Sequence, residues 1–410
     1  MRRLLMIKKA ISLESMDQKQ EFLKYQAQTT MHPLGLAVDH AKGSYIYDTQ
    51  GKAHLDFVAG VSACSVGHAH PEVVRAVQDQ AAAYMHVMVY GEYIQTPAVA
   101  LCRRLAELVP APLEATYLVN SGTEAIEAAL KLARAWTKRQ KILYGKRAYH
   151  GNTMGAMSVM DYPERTDPFG PLIPETTAIA FNDFDALAQI DSQTAAVILE
   201  TIQGGAGFIV PDPDYLKALQ SKCQQVGALL ILDEIQPGFG RTGRLFGFEH
   251  FDIVPDIVVI GKGMGGGMPI GALMASKTMM DIFATKPKLG HITTFGGHPV
   301  IAAAALATLN IITRDGFFKS VLDKEQLFRS ELQHPKIKEV RGKGLMLAIM
   351  LENAAQANDL VLKCAERGLI LFWLLYETKA VRITPPLTIT TEEIRKGCHI
   401  IREVLEQLES

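Results

Sequence analysis

A glycine-rich stretch, "DIVVIGKGMGGGMPIG" (256–271), combines a lysine with a pattern typical of nucleotide binding. Gly261, Gly263 and Gly266 spell G-x-G-x-x-G directly after an apolar run, which is how a dinucleotide-binding turn begins. Lys262 lies inside this turn, between two glycines. A lysine placed in this way can form a Schiff base, given a lowered pKa or an aldehyde partner.

The residues after Lys262 argue against nucleotide binding. A dinucleotide-binding turn needs a helix that opens at its glycines, but here the glycines lead to Met268 and Pro269 and then to the strand-like run "IGALMAS". A Walker A loop needs Ser or Thr after its lysine, and Gly263 stands there. We therefore interpret the glycines as free space in which the amine of Lys262 can move.

Two further polar groups follow strand-like runs. Asp233 ends the apolar run "ALLILD", where a buried carboxylate is costly unless it meets a cation or a strong donor. It is either part of a structural salt bridge or the partner of a protonated ring nitrogen, as a pyridoxal ring requires. The run "ATYLVN" leads to Ser121, Gly122 and Thr123. This is either a plain helix cap, S-x-x-E with Glu124, or a phosphate site at a helix N-terminus.

Together, these positions predict a pyridoxal-phosphate site. Ligands of open α/β sheets bind outside the carboxyl ends of the strands, and Thr123, Asp233 and Lys262 follow three different strand-like runs. Asp233 precedes Lys262 by 29 residues, a spacing that fits one passage from strand through crossover to strand. A phosphate site, a carboxylate for the ring nitrogen and a lysine for the aldehyde are the protein groups that this cofactor requires.

Strand-like and helix-like runs alternate in the part of the chain that carries these residues. The strand-like runs are 115–120, 195–200, 228–233 and 256–261. Strands that are apolar throughout are buried on both faces, as in a parallel sheet covered by helices. The alternation with helix-like runs therefore predicts an α/β architecture.

The pattern changes near both ends of the chain. The first part looks irregular, whereas the last part combines the apolar run 345–351 with a final helix over 390–408, which indicates a smaller α+β unit. We therefore expect an N-terminal segment (1–60), a large cofactor-binding domain (61–315) and a small C-terminal domain (316–410).

Composition and charge exclude several classes of protein. The 410 residues carry a formal net charge of −1, which argues against a broad nucleic-acid surface. No run of about 18 apolar residues occurs, so we expect no membrane span. The five cysteines form no C-x-x-C pair; they fit a reducing compartment, and we expect a cytoplasmic protein. The basic start (1–15) has too short an apolar part for a signal peptide, and a mitochondrial presequence stays open.

The chain as a whole resembles the class III pyridoxal-phosphate aminotransferases, which have fold type I. The matching stretches, in the family's order, include "LDFVAGVSACSVGHAHP", "NSGTEAIEAALKLAR", "AYHGNTMGAMS", "LETIQGG", "LILDEIQPGFGRTG", "IGKGMGGGMPIGA", "TTFGGHP" and "RITPPLTIT". They run from about residue 20 to residue 400. The resemblance implies a mainly parallel sheet sandwiched by helices, with a smaller α+β C-terminal domain.

The resemblance also implies the cofactor site. Lys262 would hold pyridoxal phosphate as a Schiff base, Asp233 would pair with the pyridinium nitrogen, and Gln236 would lie near the ring hydroxyl. The other implied groups are Ser121, Gly122 and Thr123 around the phosphate, Tyr149 and His150 at the ring face, Glu200 near the ring, and Thr294, which would reach the phosphate of the other subunit in a homodimer with shared sites.

Substrate recognition departs from the acetylornithine, ornithine and 4-aminobutyrate enzymes of the family. Arg382 corresponds to the arginine that takes a substrate carboxylate. Asn152 stands where those enzymes usually carry a second carboxylate-binding arginine. Gly205 stands where they usually carry a glutamate that screens the first arginine. Asparagine would hold a charged carboxylate less firmly. The small residue at position 205 resembles enzymes that act on amines or use pyruvate, whereas Thr201, in place of a proline, looks structural.

We therefore expect an aminotransferase that moves a terminal or ω-amino group from an amine or ω-amino acid to an α-keto acid, pyruvate or 2-oxoglutarate, with ping-pong kinetics. The alternatives are an acetylornithine or ornithine aminotransferase proper, an aminomutase or racemase on the same scaffold, and a decarboxylating aminotransferase. His68 and His70 lack further ligands at metal spacing, and we interpret them as part of a turn. We interpret Arg241 and Arg244 as partners in salt bridges at the rim of the site.

Overall fold

The computed structural model describes residues 18–88 and 91–408; the basic start over 1–15 lies outside them. The strands are β1 (Val38–Lys42), β2 (Tyr45–Asp48), β3 (Ala53–Asp56), β4 (Ala115–Val119), β5 (Lys141–Gly145), β6 (Thr176–Ile179), β7 (Thr194–Glu200), β8 (Leu229–Asp233), β9 (Ile257–Ile260), β10 (Gly271–Ala275), β11 (Glu339–Lys343), β12 (Met346–Met350), β13 (Leu369–Ile370), β14 (Phe372–Trp373) and β15 (Ala380–Ile383).

A seven-stranded sheet with the order β4-β10-β9-β8-β7-β5-β6 forms the centre of the molecule. Strands β9, β8, β7, β5 and β6 pair in parallel. Strand β10 pairs antiparallel with both β4 and β9. The predicted α/β architecture with a mainly parallel sheet is thereby confirmed. The strand-like run after the glycines is β10, so a strand stands where a dinucleotide site needs a helix.

The central strands owe their position to their apolar composition. Every residue of β7, β8 and β9 is buried, as expected for strands covered by helices on both faces. The helices are Gln18–Tyr25, Ala59–Ser62, Pro71–Ala83, Thr96–Leu108, Gly122–Thr137, Met154–Met157, Pro163–Thr166, Tyr215–Val226, Lys277–Met280, Ile282–Thr285, Pro299–Ile312, Phe317–Glu331, Ala354–Glu366 and Thr391–Glu406.

Two smaller four-stranded sheets flank this centre. One has the order β11-β12-β15-β14 and the other has the order β1-β2-β3-β13. The second sheet joins distant parts of the chain, because β13 pairs in parallel with β3. Leu55 and Phe57 accordingly belong to the same hydrophobic cluster as Phe328 and Leu345. The N-terminal segment therefore packs on the C-terminal unit, and the expected domain limits at residues 60 and 315 stay a prediction.

No single helix in the described ranges is both long enough and apolar enough to cross a membrane. The consecutive helices Pro299–Ile312 and Phe317–Glu331 meet the criteria of length and composition only as a pair, and this pair is bent by 71°.

Candidate active site

The carboxyl ends of the central strands open into a cavity of about 620 Å³. Ten of the twelve residues that we expected at the site line it: Gly122, Thr123, Tyr149, His150, Asn152, Glu200, Asp233, Gln236, Lys262 and Arg382. The folded chain therefore brings together groups that are up to 260 residues apart in sequence (122 to 382). Ser121 and Thr294 lie outside the lining.

Lys262 projects into the cavity from a short turn after β9. It begins the 3-10 turn Lys262–Gly265 and has a φ of 38°, a left-handed conformation that is costly for a residue with a side chain. Burial lowers the pKa of its amine, against the opposing effect of the negative charge of Asp233. The turn therefore presents an amine that loses its proton more readily than an exposed lysine does.

Glycine is needed directly after this lysine because of a close contact with a neighbouring segment. A Cβ at Gly263 would lie 2.5 Å from the hydroxyl oxygen of Ser65, so the glycine lets the turn pack closely against the neighbouring segment. The packing of the turn therefore requires glycine at this position, and the free space expected for the amine stays a prediction.

Asp233 ends β8 beside Glu200, its register partner at the end of β7. One oxygen of the Asp233 carboxylate accepts a hydrogen bond from His150 Nδ1 at 2.7 Å, and the other accepts the backbone N–H of Ile235 at 2.9 Å. The histidine is buried, and its Nε2 has no partner among the described residues. Asp233 thus has the cationic or donor partner that a buried carboxylate needs, and it still faces the cavity.

Glu200 is held by backbone donors. Its two carboxylate oxygens accept the N–H of Gly204 at 2.9 Å and the N–H of Tyr149 at 3.2 Å. Burial raises the pKa of this carboxyl to about 7, and the positive charge that His150 can carry opposes the rise. Glu200 therefore orders the backbone that carries Tyr149.

The helix Gly122–Thr137 points its N-terminus at the cavity. Ser121 caps it by accepting the N–H of Glu124 at 3.3 Å, so the plain cap that the sequence allowed is present. Gly122 and Thr123, one residue further on, line the cavity, where the partial positive charge of a helix N-terminus attracts an anion. The same short stretch thus holds a cap and a potential phosphate site.

Arg382 is a buried cation that pairs with no carboxylate in the described ranges of the chain. Its Nε and Nη1 groups have no hydrogen-bond acceptor among the described residues, and its guanidinium lies 5.7 Å from the centre of the Phe208 ring. Burial lowers its pKa to about 10, so the group stays charged at neutral pH. A buried, unpaired guanidinium that lines a cavity is suited to a carboxylate of a bound molecule.

The two departures from the family pattern have clear surroundings. Asn152 donates a hydrogen bond from Nδ2 to the hydroxyl of Tyr149 at 3.2 Å. The carbonyl of Gly205 accepts the backbone N–H of Tyr376 at 2.9 Å. A Cβ on Gly205 would lie 2.9 Å from Cδ2 of the Tyr376 ring, so this ring occupies the space that a glutamate side chain would need.

Several cavity residues were not expected from the sequence. They include Arg165, on the short helix Pro163–Thr166, and the apolar wall Phe372–Leu375. Neither follows a strand of the central sheet, which is where ligand groups of α/β proteins are sought. The one available signal was Trp373, one of only two tryptophans in the chain.

Other expectations have mixed outcomes. His68 pairs with Asp56 at 2.8 Å, and no group of three metal-binding side chains occurs in residues 18–88 and 91–408. The rim salt bridge expected for Arg241 is wrong: this side chain is buried and donates to the carbonyls of Leu345 and Pro385. Arg241 is held in the interior because these two carbonyls, both in the C-terminal part of the chain, satisfy its guanidinium and offset part of the cost of burying it.

Comparisons with known proteins identify the family of this chain. The family model for class III aminotransferases matches residues 25–405. An acetylornithine aminotransferase of Caldanaerobacter subterraneus is 38% identical over 379 residues, which cover 90% of this chain and 94% of that protein. A putrescine aminotransferase of Pectobacterium atrosepticum is 38% identical over 407 residues, covering 94% of this chain and 86% of that protein.

Solved structures lead to the same family. The ornithine aminotransferase of Toxoplasma gondii superposes with a TM-score of 0.90 at 32% identity, covering 98% of this chain and 97% of that chain. A second structure of that enzyme has pyridoxal phosphate at partial occupancy in its active site. The match to the family model, the relatives and the shared fold establish that this chain belongs to the class III aminotransferases, which depend on pyridoxal phosphate.

Proposed function

We propose that this aminotransferase takes a terminal or ω-amino group from an amine or ω-amino acid and passes it to an α-keto acid, pyruvate or 2-oxoglutarate. The observation that carries the proposal is the single cavity that holds Lys262, Asp233 and the unpaired Arg382. Relatives named acetylornithine and putrescine aminotransferase are compatible with a donor that carries its amino group at the end of a chain. The acetylornithine or ornithine reaction proper is the second candidate, favoured by the names of the acetylornithine aminotransferase relatives and of the Toxoplasma gondii structure.

The lining of the cavity fits pyridoxal phosphate. Gly122 and Thr123 at the helix N-terminus suit the phosphate, and the carboxylate of Asp233, hydrogen-bonded to His150, suits the ring nitrogen. Tyr149 offers a flat ring to the face of the cofactor. When bound, the protonated pyridine ring supplies an electron sink for the carbon that loses its proton.

Each side chain of the cavity then has a separate role in the reaction. Lys262, whose pKa is lowered by burial, takes the proton from the donor carbon as a general base and returns it later. Arg382 orients the keto acid by its carboxylate. Asp233 is held in position for the ring nitrogen by the hydrogen bonds with His150 and from the N–H of Ile235. Gln236, which donates to the hydroxyl of Ser62 at 3.3 Å, would be available to the ring hydroxyl when the cofactor is bound.

We further propose a homodimer in the cytoplasm. The support for a dimer is an exposed apolar surface: Ile94 is 93% exposed, and Met85 and Phe295 are more than half exposed. Thr294, next to Phe295, is exposed as well, as a residue that contributes to a partner's site must be. The five free cysteines are compatible with a reducing compartment.

Replacing Lys262 tests the function. The enzyme loaded with pyridoxal phosphate should be yellow and should change its absorbance spectrum when an amine donor is added. Lys262→Ala should abolish turnover, because the general base and the attachment point are the same amine. The measurement is the initial rate with a panel of diamines, ω-amino acids and α-amino acids against pyruvate and 2-oxoglutarate.

The outcomes separate the candidates. Full turnover by Lys262→Ala would refute the assignment. Turnover without an added keto acid would favour an aminomutase or racemase, and release of carbon dioxide would favour a decarboxylating aminotransferase. Strong activity restricted to N-acetylornithine with 2-oxoglutarate would favour the second candidate.

A further inference from the structure

Two guanidinium groups line the same cavity without a carboxylate partner. One is Arg382, which is buried. The other is Arg165, which makes no ion pair within the described parts of the chain and lines the cavity from the helix Pro163–Thr166. The carboxylates of the cavity, Glu200 and Asp233, are taken up by backbone N–H groups and by His150. The cavity therefore holds two positive charges that are free to meet anionic groups of a substrate.

Arg165 is held by a stack of aromatic rings. Its guanidinium lies over the ring of Tyr162, 5.5 Å from the ring centre. Tyr162 in turn meets the ring of Tyr376 edge-on, at 4.8 Å between centres and an angle of 83°. Tyr376 is fixed by its hydroxyl, which donates to the carbonyl of Ala148 at 2.8 Å. The guanidinium is thus oriented by packing while its N–H donors stay available.

The same stack depends on the glycine that departs from the family pattern. The Tyr376 ring packs on Gly205, where a Cβ would lie 2.9 Å away. Replacement of the usual glutamate by glycine therefore has two effects. It leaves Arg382 without a nearby carboxylate at this position, and it makes room for the ring that supports Tyr162 and Arg165.

Arg165 also acts on the region around Asn152. The side chain of Asn152 is hydrogen-bonded to the hydroxyl of Tyr149. Burial raises the pKa of the Tyr149 phenol, and the positive charge of Arg165 opposes this rise. The charge of Arg165 thus reaches the neighbourhood in which Asn152 replaces the second carboxylate-binding arginine.

We propose that Arg165 binds the distal carboxylate of a dicarboxylic α-keto acid whose other carboxylate is bound by Arg382. This inference rests on the proposed function and narrows its acceptor. A five-carbon dicarboxylic keto acid, 2-oxoglutarate, uses both guanidinium groups, whereas pyruvate has one carboxylate and uses only one. Arg165 is then a specificity-determining residue, supplied by a different element from the one that carries Asn152.

Binding of inert acids tests the site directly. Glutarate has two carboxylates and butyrate has one, and isothermal titration calorimetry gives their dissociation constants for the enzyme loaded with pyridoxal phosphate. Arg165→Gln should lower the preference for glutarate over butyrate roughly tenfold. The loss is limited to this size because an exposed, charge-assisted hydrogen bond contributes less than a buried one. Arg165→Lys should keep part of the preference. Arg395→Gln removes an exposed charge from the C-terminal helix, outside the cavity, and should leave the preference unchanged.

Steady-state kinetics and variants of Tyr162 in the aromatic stack provide further tests. In Arg165→Gln, the ratio of kcat/KM for 2-oxoglutarate to kcat/KM for pyruvate should fall roughly tenfold, mainly through KM. Tyr162→Ala should lower the same ratio, whereas Tyr162→Phe, which keeps the ring under the guanidinium, should not. Equal weakening of glutarate and butyrate, or no weakening of either, would overturn the proposal.

Failure of the inference can be told from failure of the proposed function, because the calorimetry needs no turnover. If the enzyme does not transaminate but glutarate binding depends on Arg165, the proposed function is wrong and the dicarboxylate site stands. If the enzyme transaminates and Arg165→Gln leaves both preferences unchanged, the inference is wrong and the function stands.

Discussion

At the scale of single residues, two buried carboxylates illustrate how neighbouring positions take different roles. Glu200 ends β7 and lines the cavity, whereas Glu234 follows β8 and faces away from it. Glu234 accepts the hydroxyl of Thr201 at 2.6 Å and the backbone N–H groups of Gly247 and Phe248 at 2.7 and 2.8 Å. Glu234 therefore ties the end of the strand to a loop, outside the lining of the cavity.

The burial of Glu234 predicts a pH dependence of stability. Burial raises its pKa from 4.5 to about 7, against the three donors that lower it. Between these values the folded protein keeps a proton that the unfolded chain has released, so the free energy of unfolding falls as the pH rises from about 4.5 to about 7. Glu234→Gln should reduce the fall between about pH 5 and about pH 7 by about 2 kcal/mol. Urea unfolding at both pH values measures it.

The control for this prediction is Glu107→Gln, on the exposed face of the helix Thr96–Leu108, which should leave the pH dependence as it is. Parallel pH profiles for Glu234→Gln and the unmodified protein would contradict the prediction.

At the scale of elements, the contact between the loop after β7 and the segment after β14 shapes the cavity. The backbone N–H of Tyr376 donates to the carbonyl of Gly205, and the ring covers the glycine. Gly207, in the same loop, has a φ of 112°, a conformation that only glycine adopts without strain. The conformation of the loop therefore depends on close packing against the segment that carries Tyr376.

Gly205→Ala should disturb this contact. The new Cβ would lie 2.9 Å from Cδ2 of Tyr376 and 3.3 Å from Cβ of Leu375, so the ring or the loop must move. We expect a loss of about 1–3 kcal/mol in the free energy of unfolding, as for other overpacked sites. A double-mutant cycle with Tyr376→Ala measures the coupling, because the alanine removes the ring that clashes. If the losses in the free energy of unfolding caused by the two substitutions simply add, the clash at position 205 does not involve the Tyr376 ring.

Prediction from sequence was strong for the central elements and weak for those held by distant partners. β7, β8 and β9 are apolar throughout and were recognised as buried strands. By contrast, β13 has two residues and exists through its pairing with β3, more than 300 residues earlier (Leu369 with Leu55). A pairing over such a separation leaves no local pattern in the sequence.

At the scale of the whole molecule, the exposed apolar surface is the main feature that a single chain leaves unexplained. His86 stacks on His298 at 5.7 Å and contacts the ring of Phe295 at 5.0 Å. These ring contacts of His86 connect its exposed neighbour Met85 to the segment that carries Thr294. A surface of this kind is suited to burial against a second copy of the chain.

Mixing of inactive variants tests a dimer with shared sites. If Lys262 of one subunit and Thr294 of the other form one site, a mixed dimer of Lys262→Ala and Thr294→Ala subunits contains one intact site. Exchange of subunits should then restore up to about a quarter of full activity, since half of the dimers are mixed and each has one of two sites. Light scattering measures the molecular mass of the enzyme in solution and so tests for the dimer itself. Activity no higher than the mean of the two unmixed variants would contradict shared sites.

The sequence by itself determined the reaction class and predicted the groups of the cofactor site. Gly122 and Lys262 each follow a strand with a local apolar pattern, Asp233 ends such a strand, and strand ends of an α/β sheet meet at one edge. The family resemblance extended this reading to Tyr149 and Arg382. All of these line the cavity.

Only the tertiary structure decided which further groups lie in and around the cavity. Tyr376 reaches Ala148 across 228 residues of sequence, and Arg165 enters from a short helix that follows no central strand. The packing of Tyr376 on Gly205 likewise gives that departure its meaning. These positions depend on side-chain packing between distant segments, and such packing is set by the close fit of the folded core rather than by any local pattern.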